Sequence, residues 1–329
     1  MSIKLKKILK SREITSVLFI IGIFLLVGIF NLNFLSANNI FQTINGSVVY
    51  ALVALGMSFV LFTGEIDVSI GATLGFAAAL AGTLINKGLP LILVVVIVIL
   101  FGVAVGVINS IGILYFDIPS IIMTLGTNGV IRGLIYVYTD GKWIENLPLS
   151  FKNIAQIKLF NGFSLIFILV ILLSLCFYFV TEKTEFGKSF KAVGDNIEGA
   201  RLIGISVKRI KYISYIICSV LASLAGILYA SRVGFVTPTA GVGYEMTAIA
   251  ACVIGGISLN GGIGTVFGSV LGSVIMTSIS RVLVFLGFPS TFDNTITGLI
   301  LIVIVVLGAV FDRRKSEKLR KERLAAKIV

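Results

Sequence analysis

The chain has 329 residues, 57% of them hydrophobic and only 13% charged, with a formal net charge of +12 and no histidine. At a mean hydropathy of +1.08 and about half the charge of an ordinary soluble domain, it cannot be a water-soluble globule and reads as an all-α polytopic membrane protein. The missing histidine removes imidazole acid–base chemistry, the H-E-x-x-H zinc site and any Ser-His-Asp triad.

Apolar runs occupy 14–30, 44–63, 68–85, 89–116, 118–138, 163–180, 212–230, 246–259, 265–288 and 295–311. Most reach the length needed to cross a bilayer, about 17–25 residues, so about ten transmembrane elements are expected. Twenty of the 27 basic residues cluster near the N-terminus, between Lys183 and Lys211, and between Arg313 and Lys327. Each cluster flanks an apolar run, as cytoplasmic loops do, and ten elements place both basic termini on that same side. Nucleic-acid binding is the weaker reading of this charge. The expected organisation is a cytoplasmic segment 1–13, a transmembrane domain 14–311 with a cytoplasmic loop at 182–211, and a basic tail 312–329. The first run is too long for a signal peptide's core and no A-x-A site follows it, so it is expected to be retained.

The second and third runs are joined through "FTGEIDVSIGATLG" (62–75). A similar stretch, "VIGGISLNGGIGTVFGSVLG" (253–272), follows the short eighth run. Both fit G-x-I-[D/S]-[V/L]-[S/N]-x-G, aligning Gly64, Ile66, Asp67, Ser69 and Gly71 with Gly255, Ile257, Ser258, Asn260 and Gly262. An internal repeat of Gly-broken half-helices points to a transport pathway. The same glycines also suit close helix packing.

In "TLGTNGVIRGLIYVY" (124–138), Thr124, Asn128 and Arg132 recur every four residues and share one helix face. Charges inside spans are costly and face a wet cavity or a bundle interior. The stripe therefore suits either a hydroxyl-rich ligand or an interhelical contact. Asn109 is a weaker candidate of the same kind. Between 139 and 162 the chain leaves the membrane, and Trp143 is either an interfacial anchor or part of a surface for an external partner. Cys176, Cys218 and Cys252 lie in apolar runs without C-x-x-C spacing and read as small buried hydrophobes, so neither a disulfide nor a metal site is expected. "FGKS" (186–189) mimics half a phosphate loop, but Glu182 stands where its first glycine belongs. No ATPase, cofactor or catalytic residue is therefore expected in this chain.

The segment "SFKAVGDNIEGARLIGISVKRIK" (189–211) is too long and too polar for a simple connector. Asp195 or Asn196 can cap a short surface helix, Glu198 suits its first turn, and Gly204 ends it.

These residues resemble the permease subunits of bacterial ribose/hexose-type ABC importers. The resemblance covers nearly the whole chain, including "TGEIDVSIGATLG" (63–75), "IPSIIMTLGTNGVIRG" (118–133) and "CVIGGISLNGGIG" (252–264). "TDGKWIENLP" (139–148), "GDNIEGARLIG" (194–204) and "GFVTPTAGVGYEMTAIAACVIGGISL" (234–259) are most similar to the autoinducer-2 branch, with rhamnose or ribose permeases as alternatives. Glu65 departs from the pattern, since relatives often carry a neutral residue there. The resemblance implies a multi-pass plasma (inner) membrane protein, not itself an enzyme. Its implied partners are an ABC ATPase subunit, a second permease subunit, an extracytoplasmic solute-binding protein and the lipid bilayer. It further implies that Gly194, Asp195, Asn196, Glu198, Gly199, Ala200, Arg201 and Gly204 form a coupling helix against the ATPase. A small polyhydroxylated solute needs a few polar partners in an apolar pocket, and Ser69, Asn109, Thr124, Asn128, Arg132 and Asn260 are the candidates. Asp67 either contributes a charged acceptor or fixes the broken-helix geometry, the second role being preferred. A secondary transporter would show similar repeats and is the main rival class.

Overall fold

In hydrocarbon a backbone must satisfy its own hydrogen bonds, so long apolar runs become helices. The computed structural model describes residues 12–159, 162–289, 292–303 and 306, nearly all of them in helices and their connections. Lys4, Lys6, Lys7 and Lys10, the basic tail 312–329 and the end of the last apolar run lie outside the described residues.

In chain order the helices are α1 (Arg12–Phe30), α2 (Ala37–Gly46), α3 (Val48–Phe62), α4 (Ile70–Asn86), α5 (Leu91–Tyr115), α6 (Ser120–Thr139) and α7 (Leu149–Ile154). A minimal antiparallel hairpin of β1 (Lys158–Leu159) and β2 (Phe163–Ser164) follows. Then come α8 (Leu165–Lys183), α9 (Glu185–Asp195), α10 (Ile197–Leu202), α11 (Val207–Val233), α12 (Tyr244–Ile254) and α13 (Val266–Phe285). The final described helix is α14 (Phe292–Val303).

Among the described residues, α5, α6, α8, α11 and α13 are each long and apolar enough to cross a membrane. The pair α2 and α3, bent by 42°, makes a sixth candidate span. The shorter apolar helices α1, α4, α12 and α14 fall in the remaining runs. The chain is thus an all-α, multi-pass membrane protein.

Helix α3 is apolar all round and lies buried along almost its whole length, as a core helix must. Against it, α4 and α5 packs α11, whose inward face carries Cys218, Ser219, Ala222, Ser223, Ala225 and Gly226. Small residues are what let helix backbones approach when lipid removes the hydrophobic drive between spans. On the α5 side, Gly102 and Gly106 meet the α11 backbone at Ser219–Val220 and Tyr215–Ile216. Helices α5, α6 and α8 turn most of their surface outward. Cys176, expected to be buried, is exposed on α8, because that helix lies at the periphery; Cys218 and Cys252 are buried.

Trp143 stacks on Phe235 at 5.5 Å between ring centroids, beside an isolated bridge joining Ile144 to Val236. The bridge ties the 139–148 segment to the loop after α11, so the excursion between α6 and α8 is anchored at one end of the molecule.

Candidate functional site

The chain breaks between α3 and α4, at Thr63–Ser69, and breaks again between α12 and α13. Both breaks begin with the same cap. Glu65 N–H donates to Val60 O at 3.2 Å, and Ile257 N–H donates to Cys252 O at 2.9 Å. In each case the preceding glycine has positive φ, +77° at Gly64 and +92° at Gly256, a conformation glycine adopts without Cβ strain. The cap geometry therefore pairs Gly64 with Gly256, one residue beyond the match suggested by the sequence pattern.

Around the first break the polar candidates converge. Asp67 is fully buried, and its Oδ1 accepts from Ser69 N–H at 2.8 Å and from the Ser69 hydroxyl at 2.6 Å. The Asn109 amide donates to Ser69 Oγ at 2.9 Å, and the Thr127 hydroxyl donates to Asn109 Oδ1 at 2.6 Å. From α6, the Thr124 hydroxyl oxygen accepts Val68 N–H at 3.1 Å, and the Asn128 amide donates to Val68 O at 2.8 Å. The Arg132 guanidinium donates to Ala240 O at 2.5 Å. Each side chain of the stripe thus holds backbone that no helix satisfies, with Thr124 and Asn128 on the α3–α4 break and Arg132 on the loop before α12.

The network leaves charge unspent. Asp67 Oδ2, Arg132 Nη2 and Glu245 Oε2 are buried with no hydrogen-bond partner among the described residues. Glu245 enters only through the fold. It stands in the first turn of α12, and a Cβ on Gly71 would overlap its carboxylate and the Gly241 carbonyl. Gly71 is therefore required by close approach. Thr127 and Glu245 were not among the sequence candidates; Thr127 neighbours Asn128, and Glu245 precedes an apolar run, and neither spacing showed their partners.

An expected outcome follows for Asp67. Asp67→Asn keeps an acceptor for Ser69 and should fold normally. Asp67→Ala leaves two buried donors unsatisfied and should lose about 1–3 kcal/mol. Thermal unfolding of the purified variants checks this; equal stability of the two would remove Asp67 from the loop's architecture.

Asn260 stands apart from this cluster. It is exposed, and its carbonyl lies beside Gly64. Here the two breaks meet, with Gly262 N–H donating to Phe62 O at 3.1 Å. The end of α9 closes on the same point: a Cβ on Gly194 would overlap Phe62 O and lie 2.7 Å from Gly262 N. Behind it, Phe59 packs edge-on against Phe190 of α9 at 5.3 Å, and Lys191 pairs with Glu182. Helix α9 itself was not anticipated. Glu65 is neutralised by an ion pair with Lys211 at the start of α11.

Beyond the junction, Asn196 caps α10 by accepting Gly199 N–H at 2.9 Å, and Gly204 terminates it at φ +84°. Asp195, Glu198 and Arg201 are exposed, with Arg201 donating to Glu198 at 2.8 Å. Ala200 is only 3% exposed and packs into the core, while Gly199 faces the Asn196 side chain. The tip of α10 is instead apolar, with Leu202 at 88% and Ile203 at 73% exposure.

Broken helices, an inward-facing polar stripe along α6 and a capped surface helix at one end define a multi-pass membrane permease. The chain belongs to the family described as branched-chain amino acid transport system / permease component, whose model matches residues 39–305. It is similar to the protein named autoinducer 2 import system permease protein LsrC of Escherichia coli O9:H4 (strain HS), 39% identical over 98% of this chain and 94% of that one. The same-named proteins of Escherichia coli (strain K12 / DH10B) and Salmonella typhi are 38% and 37% identical over 98% of this chain, covering 94% and 92% of their own lengths. No solved structure matches the chain.

Proposed function

We propose that the chain is a permease subunit of an ABC importer and that it carries autoinducer-2 across the cytoplasmic membrane. The observation that carries this reading is the 37–39% identity, over 98% of the chain, to permeases named for autoinducer-2 import. In this reading the protein performs no covalent chemistry. A separate ATPase subunit supplies the energy, a second permease completes the pathway, and an extracytoplasmic binding protein delivers solute. The ten apolar elements form the membrane domain with both termini cytoplasmic, and the two breaks are a repeat flanking the pathway. Asp67, Ser69, Asn109, Thr124, Asn128 and Arg132 line or shape that pathway.

Helix α10 is the contact with the ATPase. Asp195, Asn196, Glu198, Gly199, Arg201 and Gly204 form its polar frame, and Leu202 and Ile203 its apolar tip. Gly194 and Ala200 face inward and carry force to the core. Asn260, beside Gly64, belongs to that relay. Ala200→Trp is then expected to act by overpacking, which typically costs about 1–3 kcal/mol. Arg201→Glu is expected to leave folding intact and weaken ATPase binding. Co-purification of the ATPase subunit from membranes checks this: full retention with Arg201→Glu would take Arg201 out of the contact.

The pathway assignment has its own test. In a background with Cys176, Cys218 and Cys252 replaced, Asn128→Cys and Arg132→Cys should react with a membrane-impermeant thiol reagent, to an extent that changes when ATP is trapped. Inaccessibility in every state would leave the stripe a purely structural contact.

A further inference from the structure

Helix α11 is 27 residues long, so its two ends lie about 40 Å apart. At the end remote from α10, a concave space of about 750 Å³ opens between α2, α11, α13 and the hairpin. Arg232 of α11, Arg281 of α13 and Lys158 of β1 line it, together with the amides of Asn38, Gln42 and Asn45. Among the described residues no carboxylate lines it. Neither arginine joins an ion pair among the described residues, whose ion pairs are Lys191–Glu182, Arg201–Glu198 and Lys211–Glu65.

Both guanidinium groups are positioned by neutral acceptors. Arg232 Nη1 donates to Asn45 O at 2.6 Å, and Arg281 Nη1 donates to Asn39 Oδ1 and Gln42 Oε1, each at 3.1 Å. Among the described residues only Nη1 of each is engaged in a hydrogen bond. Arg232 stands exposed in the last turn of α11 and Arg281 half-buried on α13, and a guanidinium's planar fork is preorganised for an oxyanion. Arg281 also borders a smaller adjoining space of about 380 Å³, lined by Tyr50, Thr277, Ser280 and Asp293. Asp293 lies there and not in the larger cavity, and it is too far from Arg281 to form an ion pair.

A volume of this size is that of a small-molecule site. The lining has an excess of donors over acceptors, three of them cationic, with neutral amides between. We propose that this cavity binds a small hydroxylated solute bearing an anionic oxygen group, with Arg232 and Arg281 gripping the anion and the amides reading the hydroxyls. The proposal goes beyond the importer reading and rests on the cavity alone.

The test is equilibrium binding of labelled gluconate to the full chain in lipid nanodiscs, with glucose as the neutral comparison on the same carbon skeleton. No ATP or partner subunit enters the measurement, so failure of the importer reading would leave its outcome unaffected. Gluconate is expected to bind at least about tenfold tighter than glucose, and Arg232→Gln or Arg281→Gln to weaken it about tenfold each, the loss typical of one charged hydrogen bond. Lys158 is exposed on β1, so Lys158→Gln should fold without difficulty and weaken gluconate by a smaller factor, about threefold. Equal binding of gluconate and glucose, no binding of either, or unchanged gluconate affinity in all three variants would overturn the assignment.

Discussion

Replacing Leu202 and Ile203 together by aspartate should lower ATP-driven uptake at least tenfold while leaving the permease in the membrane at its normal level. The two side chains form the exposed apolar tip of α10, at 88% and 73% exposure, and touch nothing that holds the fold together. Covering a leucine or isoleucine fully is worth about 1.5–3 kcal/mol each. A carboxylate buried in the same contact would add a desolvation cost of its own. Since about 1.4 kcal/mol is a tenfold change in affinity, the double substitution should release the ATPase subunit. Uptake and ATPase co-purification, measured on the same membranes, check the result. Normal values for both would show that the tip of α10 faces water throughout the transport cycle.

Gly194→Val should be comparably damaging, but by another route. A Cβ at this position overlaps the Phe62 carbonyl and comes within 3.0 Å of Gly261 Cα. Neither neighbour can retreat freely, because Phe62 O already accepts Gly262 N–H and both stand where the two breaks meet. The α9 end would be forced away from the junction, separating α10 from the two breaks. Uptake should be lost even where ATPase co-purification survives, with Gly194→Ala intermediate. Full uptake with valine at 194 would mean that the junction transmits nothing.

The apolar helices were legible in the sequence because each apolar run carries its own length and hydropathy. The cap of α10 was legible too, narrowed to Asp195 or Asn196; the choice fell to Asn196 because Ile197 begins the helix. Partners across the fold were not. Asn128 meets Val68 from 60 residues away, and Glu65 meets Lys211 from 146 away. Local periodicity contains no information about such separations. The stripe on α6 admitted both a ligand role and a contact role, and its hydrogen bonds show the contact geometry directly. Helix α9 was obscured by "FGKS", yet Thr184 caps it and Phe190 and Val193 form its buried face. Arg281 lay inside a run read as apolar, and its proximity to Arg232 arises only when α11 and α13 both pack on α3. Ala200 entered only with the coupling helix that the resemblance implies, and in the fold it packs into the chain's own core.

The most direct test of the importer reading is solute uptake by proteoliposomes containing this chain with its cognate ATPase, second permease and binding protein. Labelled autoinducer-2, ribose and rhamnose would be compared with and without ATP. The account predicts ATP-dependent, vanadate-sensitive accumulation of autoinducer-2 well above that of either sugar. Accumulation of ribose or rhamnose alone would contradict the assigned solute, and uptake that proceeds equally without ATP would contradict the importer itself.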